Sequence, residues 1–206
     1  MSKIGENGNI KDRKLGEYWE DVFIGMAKRH GWKAWPFNRK KGATFRDADG
    51  NTYISPDVWI LKRGSKQYIC EIKHKNLAKN GCYGFELYRE SSMIAIEANY
   101  SNQFGGVEAL YIVHNHDLAG GKWSKKNNSL HWHAQKLKLL AEMGHLGQPQ
   151  HTYYGSELSK EPVPIKYYPY RYFRPIEYFL NLDRGQDGSL HRGRQAVDGH
   201  RYPHRF

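Results

Sequence analysis

The stretch SPDVWILKRGSKQYICEIKHK, from Ser55 to Lys75, decides the fold of this 206-residue chain. It contains two apolar, β-prone segments, Val58 to Leu61 and Tyr68 to Ile72, which are separated by a polar turn around Gly64. Such a pattern predicts a β-hairpin, because Gly readily adopts the backbone conformations that tight turns require. We therefore expect two antiparallel strands whose ends away from the turn lie next to each other.

The predicted hairpin brings two carboxylates and a lysine together. Thirteen residues separate Asp57 from Glu71, so a turn centred on Gly64 places these two residues opposite each other. Because side chains alternate along a strand, Glu71 and Lys73 share one face. The opposite face is the predicted core face and carries Tyr68, Cys70 and Ile72.

This charge arrangement suits a divalent cation beside a phosphodiester. Carboxylate oxygens are the ligands that Mg²⁺ prefers, and Mg²⁺ keeps several waters that a substrate phosphate can displace. A lysine nearby could orient or activate the attacking water, or stabilise charge on the phosphate. The pattern therefore indicates nuclease chemistry.

The sequence Pro56-Asp57, followed by Glu71-Ile72-Lys73, resembles the signature of the PD-(D/E)XK nuclease superfamily. The resemblance implies an α/β fold with a restriction-endonuclease-like core, in which helices flank a mixed central β-sheet, here with a C-terminal extension. It implies that Asp57, Glu71 and Lys73 are catalytic. It also implies that Asp57, Glu71 and the backbone carbonyl of Ile72 bind Mg²⁺, with Mn²⁺ as a substitute, while Lys73 assists the hydrolytic water.

The superfamily often adds a metal-binding Glu from the preceding helix, and this chain has a candidate. Residues 16–32 read GEYWEDVFIGMAKRHGW, with apolar residues near helical spacing and Gly31 as a C-terminal stop. By the resemblance Glu20 is the expected metal ligand. Glu17 lies one turn earlier and is the alternative.

Three segments are expected along the chain. Residues 1–13 are polar and predicted to be loose, 14–183 form a single nuclease-like domain with its core at about 14–115, and 184–206 form a basic flexible tail. The expected elements of the domain are these: helices at Lys14–His30, Tyr83–Asn99 and His131–Met143, strands at Trp32–Phe37 and Glu108–Val113, a small hairpin over 44–54 turning at Asp49-Gly50, and a final short helix.

Composition favours a polyanionic partner. The net charge is +11, and a strongly basic chain most often binds nucleic acid, here expected to be DNA, although excess Lys and Arg can also serve solubility alone. Two cysteines without a CxxC pair argue against a disulfide scaffold or zinc ribbon and favour the reducing interior of the cell, the cytoplasm. No apolar run approaches the ~20 residues of a membrane span, and the polar N-terminus does not resemble a signal peptide, so no membrane association is expected.

Five residues are candidates for nucleic-acid binding. Lys75 follows the motif and could contact the backbone, although a solvated loop is an equal alternative. Tyr88 and Arg89 lie on the predicted helix after the motif, where the superfamily often places a residue near the phosphate; a core Tyr or an exposed helix face is the alternative. Arg192 and Arg194 belong to the basic tail.

Two histidine pairs also resemble metal ligands. They are His114/His116 at the end of a predicted strand and His131/His133 at the start of a predicted helix. An HxH spacing places both imidazoles on one strand face, as some metal sites require. No cysteine or third fixed ligand accompanies either pair, so we favour a structural or surface role.

Three function classes remain open at this point. The first is a Mg²⁺-dependent deoxyribonuclease, a hydrolase of phosphodiester bonds. The second is a nucleic-acid-binding protein with an inactive nuclease-like site, and the third is a metal-dependent enzyme acting on another phosphate ester. The sequence leaves open DNA or RNA, endonuclease or exonuclease action, and the oligomeric state, for which a homodimer is compatible.

Overall fold

The structure, a computed structural model, describes residues 4–37, 44–62, 67–77, 81–121, 124–151, 153–154, 157–158 and 161–180. For residues 4–13, 153–154 and 157–158 it describes the backbone alone. The helices are α1 Ile4–Arg29, α2 Leu87–Phe104, α3 His116–Ala119, α4 Leu137–Met143 and α5 Glu177–Leu180.

The longer strands are β1 Lys33–Pro36, β4 Val58–Leu61, β5 Gln67–Lys75, β6 Cys82–Glu86, β7 Val107–Asn115, β8 Trp132–Lys136 and β12 Ile165–Pro169. The short strands are β2 Thr44–Arg46, β3 Thr52–Ile54, β9 His145–Leu146, β10 Tyr153–Tyr154, β11 Glu157–Leu158 and β13 Arg174–Pro175.

A mixed six-stranded sheet with the order β1-β4-β5-β7-β8-β13 forms the centre of the fold. The β5 and β7 strands are parallel, with Gln67 opposite Val107 and Lys75 opposite Asn115. The chain between these two strands contains β6 and α2. The other pairs in this sheet are antiparallel. The expected α/β class, with a mixed central sheet flanked by helices, is confirmed.

The β4–β5 hairpin has the predicted register. Val58 pairs with Cys70 and Leu61 pairs with Gln67, so Asp57 directly precedes the residue that faces Cys70. The Asp57 N–H donates to the Cys70 carbonyl at 3.0 Å, which continues the ladder beyond the end of β4. The predicted hairpin over 44–54 is also present as β2 and β3, and Gly50 in its turn has a φ of 86°.

Both faces of the central sheet are covered. On one face α1 buries Trp19 and Phe23 against Cys70 and Ile72. On the other face α2 buries Met93 and Ile96, and Ile69 lies among them. The charged face of β5 is therefore itself buried, although the sequence pattern predicted core only on the opposite face.

Three predicted elements were wrong in extent or type. The first helix begins at Ile4 rather than Lys14, because extending an existing helix into a polar segment costs less than starting a new one. Residues 83–86, expected to be helical, belong to β6, which pairs with β12 in a separate three-stranded sheet. Residues 132–136, also expected to be helical, form β8 at the side of β7.

Non-local pairing explains the two errors at β6 and β8. The partner of β6 is a strand near the C-terminus, and the partner of β8 is the buried β7, so tertiary contacts override the local helical periodicity. The predicted tail, 184–206, lies outside the described residues. None of the described helices combines the length and apolar character that crossing a bilayer requires.

Candidate active site

The end of the β4–β5 hairpin holds the two predicted carboxylates. Asp57 is partly buried, and its Oδ2 accepts the Ile72 backbone N–H at 2.7 Å. Glu71 is 1% exposed and lies within β5. The backbone thus orients Asp57 toward β5, and the predicted juxtaposition of the two carboxylates is present.

Glu71 is held by two cations. Its Oε1 lies 2.6 Å from Lys73 Nζ and 2.6 Å from an Arg89 Nη1. Lys73 comes from the same strand face, whereas Arg89 comes from the first turn of α2. The Glu71 carboxylate raises the pKa of Arg89, which is the response of a strong buried ion pair.

The pKa of Asp57 is raised to about 8. Burial is the largest cause, and the negative charges of Glu71 and Glu20 add to it, while Lys73 and Arg89 oppose the shift. A carboxyl group with this pKa is largely protonated at neutral pH. Burial and the neighbouring carboxylates together make ionisation of Asp57 unfavourable, and a cation beside it would favour the ionised form.

Lys73 and Lys75 lie in the same site but differ in charge balance. For Lys73, burial and Arg89 oppose the charged form, but Glu71 and Asp57 outweigh them and raise the pKa of the ammonium. For Lys75, burial dominates and lowers the pKa to about 8. Lys75 Nζ donates to the Gly84 carbonyl, so this side chain points inward.

Sequence reasoning missed Glu86. It is the last residue of β6 and the N-cap of α2, and its buried Oε2 has no hydrogen-bond partner among the residues that the structure describes. Burial raises the pKa of Glu86, but Lys73, Lys75 and Arg89 outweigh it and lower the pKa to about 2. The sequence offers one signal for Glu86, its position three residues before Arg89. That signal indicates a place in the site only if residues 82–86 form a strand, whereas the sequence predicted a helix from Tyr83.

The structure places Glu20 close enough to act on Asp57 electrostatically. Glu20 lies on α1, next to the fully buried Trp19, and its charge contributes to the raised pKa of Asp57. Glu17 is not among those contributors. Both residues are partly buried on α1.

The donor set suits Mg²⁺ better than a softer metal. Two carboxylates and the Ile72 carbonyl are oxygen donors, and Mg²⁺ is typically bound through one or two carboxylates, with the remaining positions left to water and phosphate. Within the described part of the chain, no group of three His, Cys, Asp or Glu side chains converges as a metal-binding cluster. A direct contact between Glu20 and a metal therefore remains a prediction.

The five expected nucleic-acid contacts have different outcomes. Lys75 lies in β5 and not in a solvated loop, since the strand extends to the end of the motif. Arg89 is paired with Glu71 and is not on a fully exposed helix face. Tyr88 is partly buried at the start of α2, with its ring 6.0 Å from the Arg89 guanidinium. Arg192 and Arg194 lie outside the described residues.

The histidines form an aromatic cluster on the opposite sheet face. The His114 and His74 Nδ1 atoms are 2.8 Å apart, and the Trp19 indole stacks on His114 with centroids at 3.6 Å. Burial, together with the neighbouring histidines, lowers the pKa of His114 to about 3, so it is neutral. His133 is on the other face and contacts the Tyr170 hydroxyl at 2.8 Å. His133 lies in β8, and His131 is the last residue of a short 3₁₀ helix, Ser129–His131, directly before that strand, so neither starts the predicted helix.

Comparison with known proteins finds a structural similarity across most of the chain. No protein-family model matches the chain, and no curated protein matches it significantly. A solved structure of Hjc, a Holliday junction resolvase from the archaeal hyperthermophile Archaeoglobus fulgidus, has a TM-score of 0.46 and 11% identity, covering 81% of this chain and 95% of that chain.

Proposed function

We propose that this protein is a metal-dependent nuclease that hydrolyses phosphodiester bonds of DNA at the site formed by Asp57, Glu71 and Lys73. The observation that carries the proposal is their arrangement. A backbone N–H orients Asp57 at 2.7 Å, and Lys73 Nζ lies 2.6 Å from the buried Glu71. These are the three side chains that the PD-(D/E)XK motif uses, and they lie at one end of one hairpin.

The carboxylates are the binding groups of the proposed site. Asp57, Glu71 and the Ile72 carbonyl would hold Mg²⁺, which when bound polarises the phosphate and lowers the pKa of water. Asp57 would have to be deprotonated to hold the ion, because its pKa is raised in the folded chain and a metal ligand must be an ionised carboxylate.

Lys73 acts as a cation in the proposed mechanism. Its raised pKa favours the ammonium, which can stabilise negative charge that develops on the phosphate but cannot remove a proton from water. Arg89 neutralises Glu71 in the absence of a metal and holds it in place. If Glu71 held Mg²⁺ instead, Arg89 would be available to the phosphate, in agreement with its predicted nucleic-acid contact.

The net charge of +11 favours a polymer over a small phosphate ester. A decisive experiment incubates the protein with labelled linear, circular, branched and single-stranded DNA and with RNA, in Mg²⁺, Mn²⁺, Ca²⁺ or EDTA. We expect cutting of DNA with Mg²⁺ or Mn²⁺, binding with little cutting in Ca²⁺ because its longer and looser coordination positions water poorly, and no cutting in EDTA.

The matched control for this assay is an exposed carboxylate. Asp49→Asn changes an exposed residue in the turn between β2 and β3 and should cut like the wild type, whereas Asp57→Asn should be inactive. Undiminished cutting in EDTA would overturn the mechanism. Binding of DNA without cutting under every cation would favour the alternative of a nucleic-acid-binding protein with an inactive site.

A further inference from the structure

An exposed aromatic surface lies beside the proposed active site. We call it the aromatic groove; it is lined by Trp35, Trp59, Leu61, Gln67 and Phe104. Trp35 is 40% exposed and Phe104 is 57% exposed. Large aromatic rings at such exposure lose the free energy of burial, so two of them in one groove indicate a binding surface.

The rings of the groove are stacked in a defined order. Phe37 and Trp59 lie nearly parallel, at 7° and 5.6 Å between centroids, and Trp59 and Trp35 follow at 18° and 6.2 Å. Phe104 from α2 meets Trp59 edge-on at 6.3 Å. The result is a short ladder of nearly parallel rings, in which Trp35 is the most exposed member at 40%.

The aromatic ladder is continuous with the proposed active site. Trp59 follows Asp57 by two residues, so their side chains share a sheet face with Cα atoms about 7 Å apart. The Phe37 N–H donates to the Asp57 carbonyl at 2.9 Å, which ties the inner end of the ladder to the same residue. A chain lying along the ladder would thus pass directly to Asp57.

The edge strand of this surface is poorly suited to pairing with a second copy of the protein. Among the described residues β1 is at the edge of the sheet, and it contains Pro36, which has no N–H, and the exposed Lys33. Both are features that discourage edge-to-edge strand addition. Lys33 shares the sheet face of Trp35 and provides positive charge at the outer end of the ladder.

The charge and chemistry of the groove fit a nucleotide. Lys33 pairs with Leu61, a groove residue, across β1 and β4, so its positive charge lies on the sheet face of the groove. Within the groove, the Gln67 amide can donate and accept hydrogen bonds, as the edge of a base requires. Aromatic rings with positive charge beside them are the pattern by which proteins hold unpaired bases.

We infer that the aromatic groove binds an unpaired nucleobase of the substrate, with the base stacked on Trp35 and its backbone directed toward Asp57. This inference rests on the proposed function for the identity of the substrate. It adds a preference for DNA that has at least one base outside a duplex stack, since a paired base cannot present its face to Trp35.

The test measures binding in EDTA, so that cutting plays no part. The probes are a labelled single strand, a duplex of the same length, and an abasic single strand with the same charge. Because base–aromatic stacking contributes about 1–3 kcal/mol, Trp35→Leu should weaken binding of the single strand by about 5- to 150-fold. Binding of the duplex and of the abasic strand should change little, and Trp35→Phe should retain most of the affinity.

The controls separate stacking from folding and from assembly. Tyr178 is 74% exposed on α5, which packs on the opposite sheet face, so Tyr178→Leu should bind all three probes like the wild type. Phe104→Leu provides a second groove variant and decides the test if Trp35→Leu does not fold. Sedimentation of each variant shows whether the groove instead joins two copies of the chain.

Four outcomes would overturn the inference: no binding of the single strand by the wild type, equal affinity of the wild type for the abasic strand, equal loss on every probe in the groove variants, or a change of oligomeric state in those variants. Failure of the proposed function is distinguishable. A wild type that prefers the base-containing strand through Trp35, but cuts nothing in Mg²⁺, would refute the nuclease and support the groove.

Discussion

Replacing Asp57 by Asn should stabilise the protein at alkaline pH while removing its activity. In the folded chain burial, Glu71 and Glu20 raise the pKa of Asp57 from 3.8 to about 8. An Asn at this position keeps an oxygen that can accept the Ile72 N–H, but it carries no charge. The variant therefore removes the buried charge of Asp57 and its repulsion by Glu71 and Glu20, and it keeps the hydrogen bond from the Ile72 N–H.

The sign and size of the effect follow from the linkage between proton binding and folding. The folded pKa is higher than the unfolded one, so the folded state binds more protons. The stability provided by protonated Asp57 is full below about pH 4 and is lost as the pH rises through about 8. The rise of the Asp57 pKa from 3.8 to about 8 corresponds to at most about 6 kcal/mol. Because Lys73 can move toward ionised Asp57 and recover part of this, we expect a gain of about 2 kcal/mol in the variant near pH 9.

The assay is urea unfolding of both proteins in EDTA across this pH range. The difference in the free energy of unfolding should be small near pH 4 and should grow toward pH 9 in favour of Asp57→Asn. Asp49→Asn, at an exposed turn residue, should show no such trend. A difference that stays flat with pH, or a variant less stable than the wild type near pH 9, would refute the electrostatic description of the site.

Three further predictions concern other parts of the protein. Glu86→Gln should lower the free energy of unfolding by about 2–3 kcal/mol at neutral pH, because Lys73, Lys75 and Arg89 lower the pKa of Glu86 to about 2. This stability is present above the unfolded pKa of Glu86 and should vanish as the pH falls to about 2. Urea unfolding measures the effect, with Glu161→Gln at an exposed residue as the control. Glu20→Gln should cut turnover severely and Glu17→Gln mildly, since only Glu20 acts on Asp57; the reverse order in a steady-state cleavage assay would contradict this. Deleting 184–206, which contains five arginines, should leave turnover at saturating substrate intact and should reduce the slope of log affinity against log salt by roughly 0.7–0.9 for each phosphate that the tail neutralises; an unchanged slope would show that the tail does not bind.

Much of the fold near the site could be predicted because its determinants are local. The turn residues and the two apolar segments on either side of Gly64 define the hairpin, and the observed register follows from them. The strand Glu108–Val113 was equally clear, because a continuous apolar run between two glycine-containing turns is typical of a buried parallel strand. Such elements depend little on partners distant in sequence.

The elements that were missed depend on distant partners. Trp132 to Lys136 become a strand because β7 offers an open edge, and Cys82 to Glu86 become one because β12 pairs with them. The consequences for the site were direct. With residues 83–86 taken as helix, Glu86 could not be recognised as a neighbour of Lys73, and the inward direction of Lys75 toward Gly84 could not be seen.

Charge balance was the other property hidden from the sequence. The motif identifies two acids and a lysine, but their protonation depends on burial and on the ion pair that Arg89 makes from α2. Because of that ion pair, Arg89 belongs to the candidate site and is not a surface residue. The sequence could place Arg89 on the right helix but not show which way it faces.

The proposed nuclease activity is tested most sharply by comparing the wild type with Lys73→Met in binding and cutting of the same DNA. Binding is measured in Ca²⁺ and cutting in Mg²⁺, with the exposed Lys28→Met as the matched control. Lys73 Nζ lies 2.6 Å from Glu71 and is the proposed source of positive charge for the phosphate. We expect Lys73→Met to bind DNA within a few-fold of the wild type yet to lose Mg²⁺-dependent cutting by about two orders of magnitude or more, while Lys28→Met keeps both. Cutting at the wild-type rate by Lys73→Met would contradict the proposed role of this site.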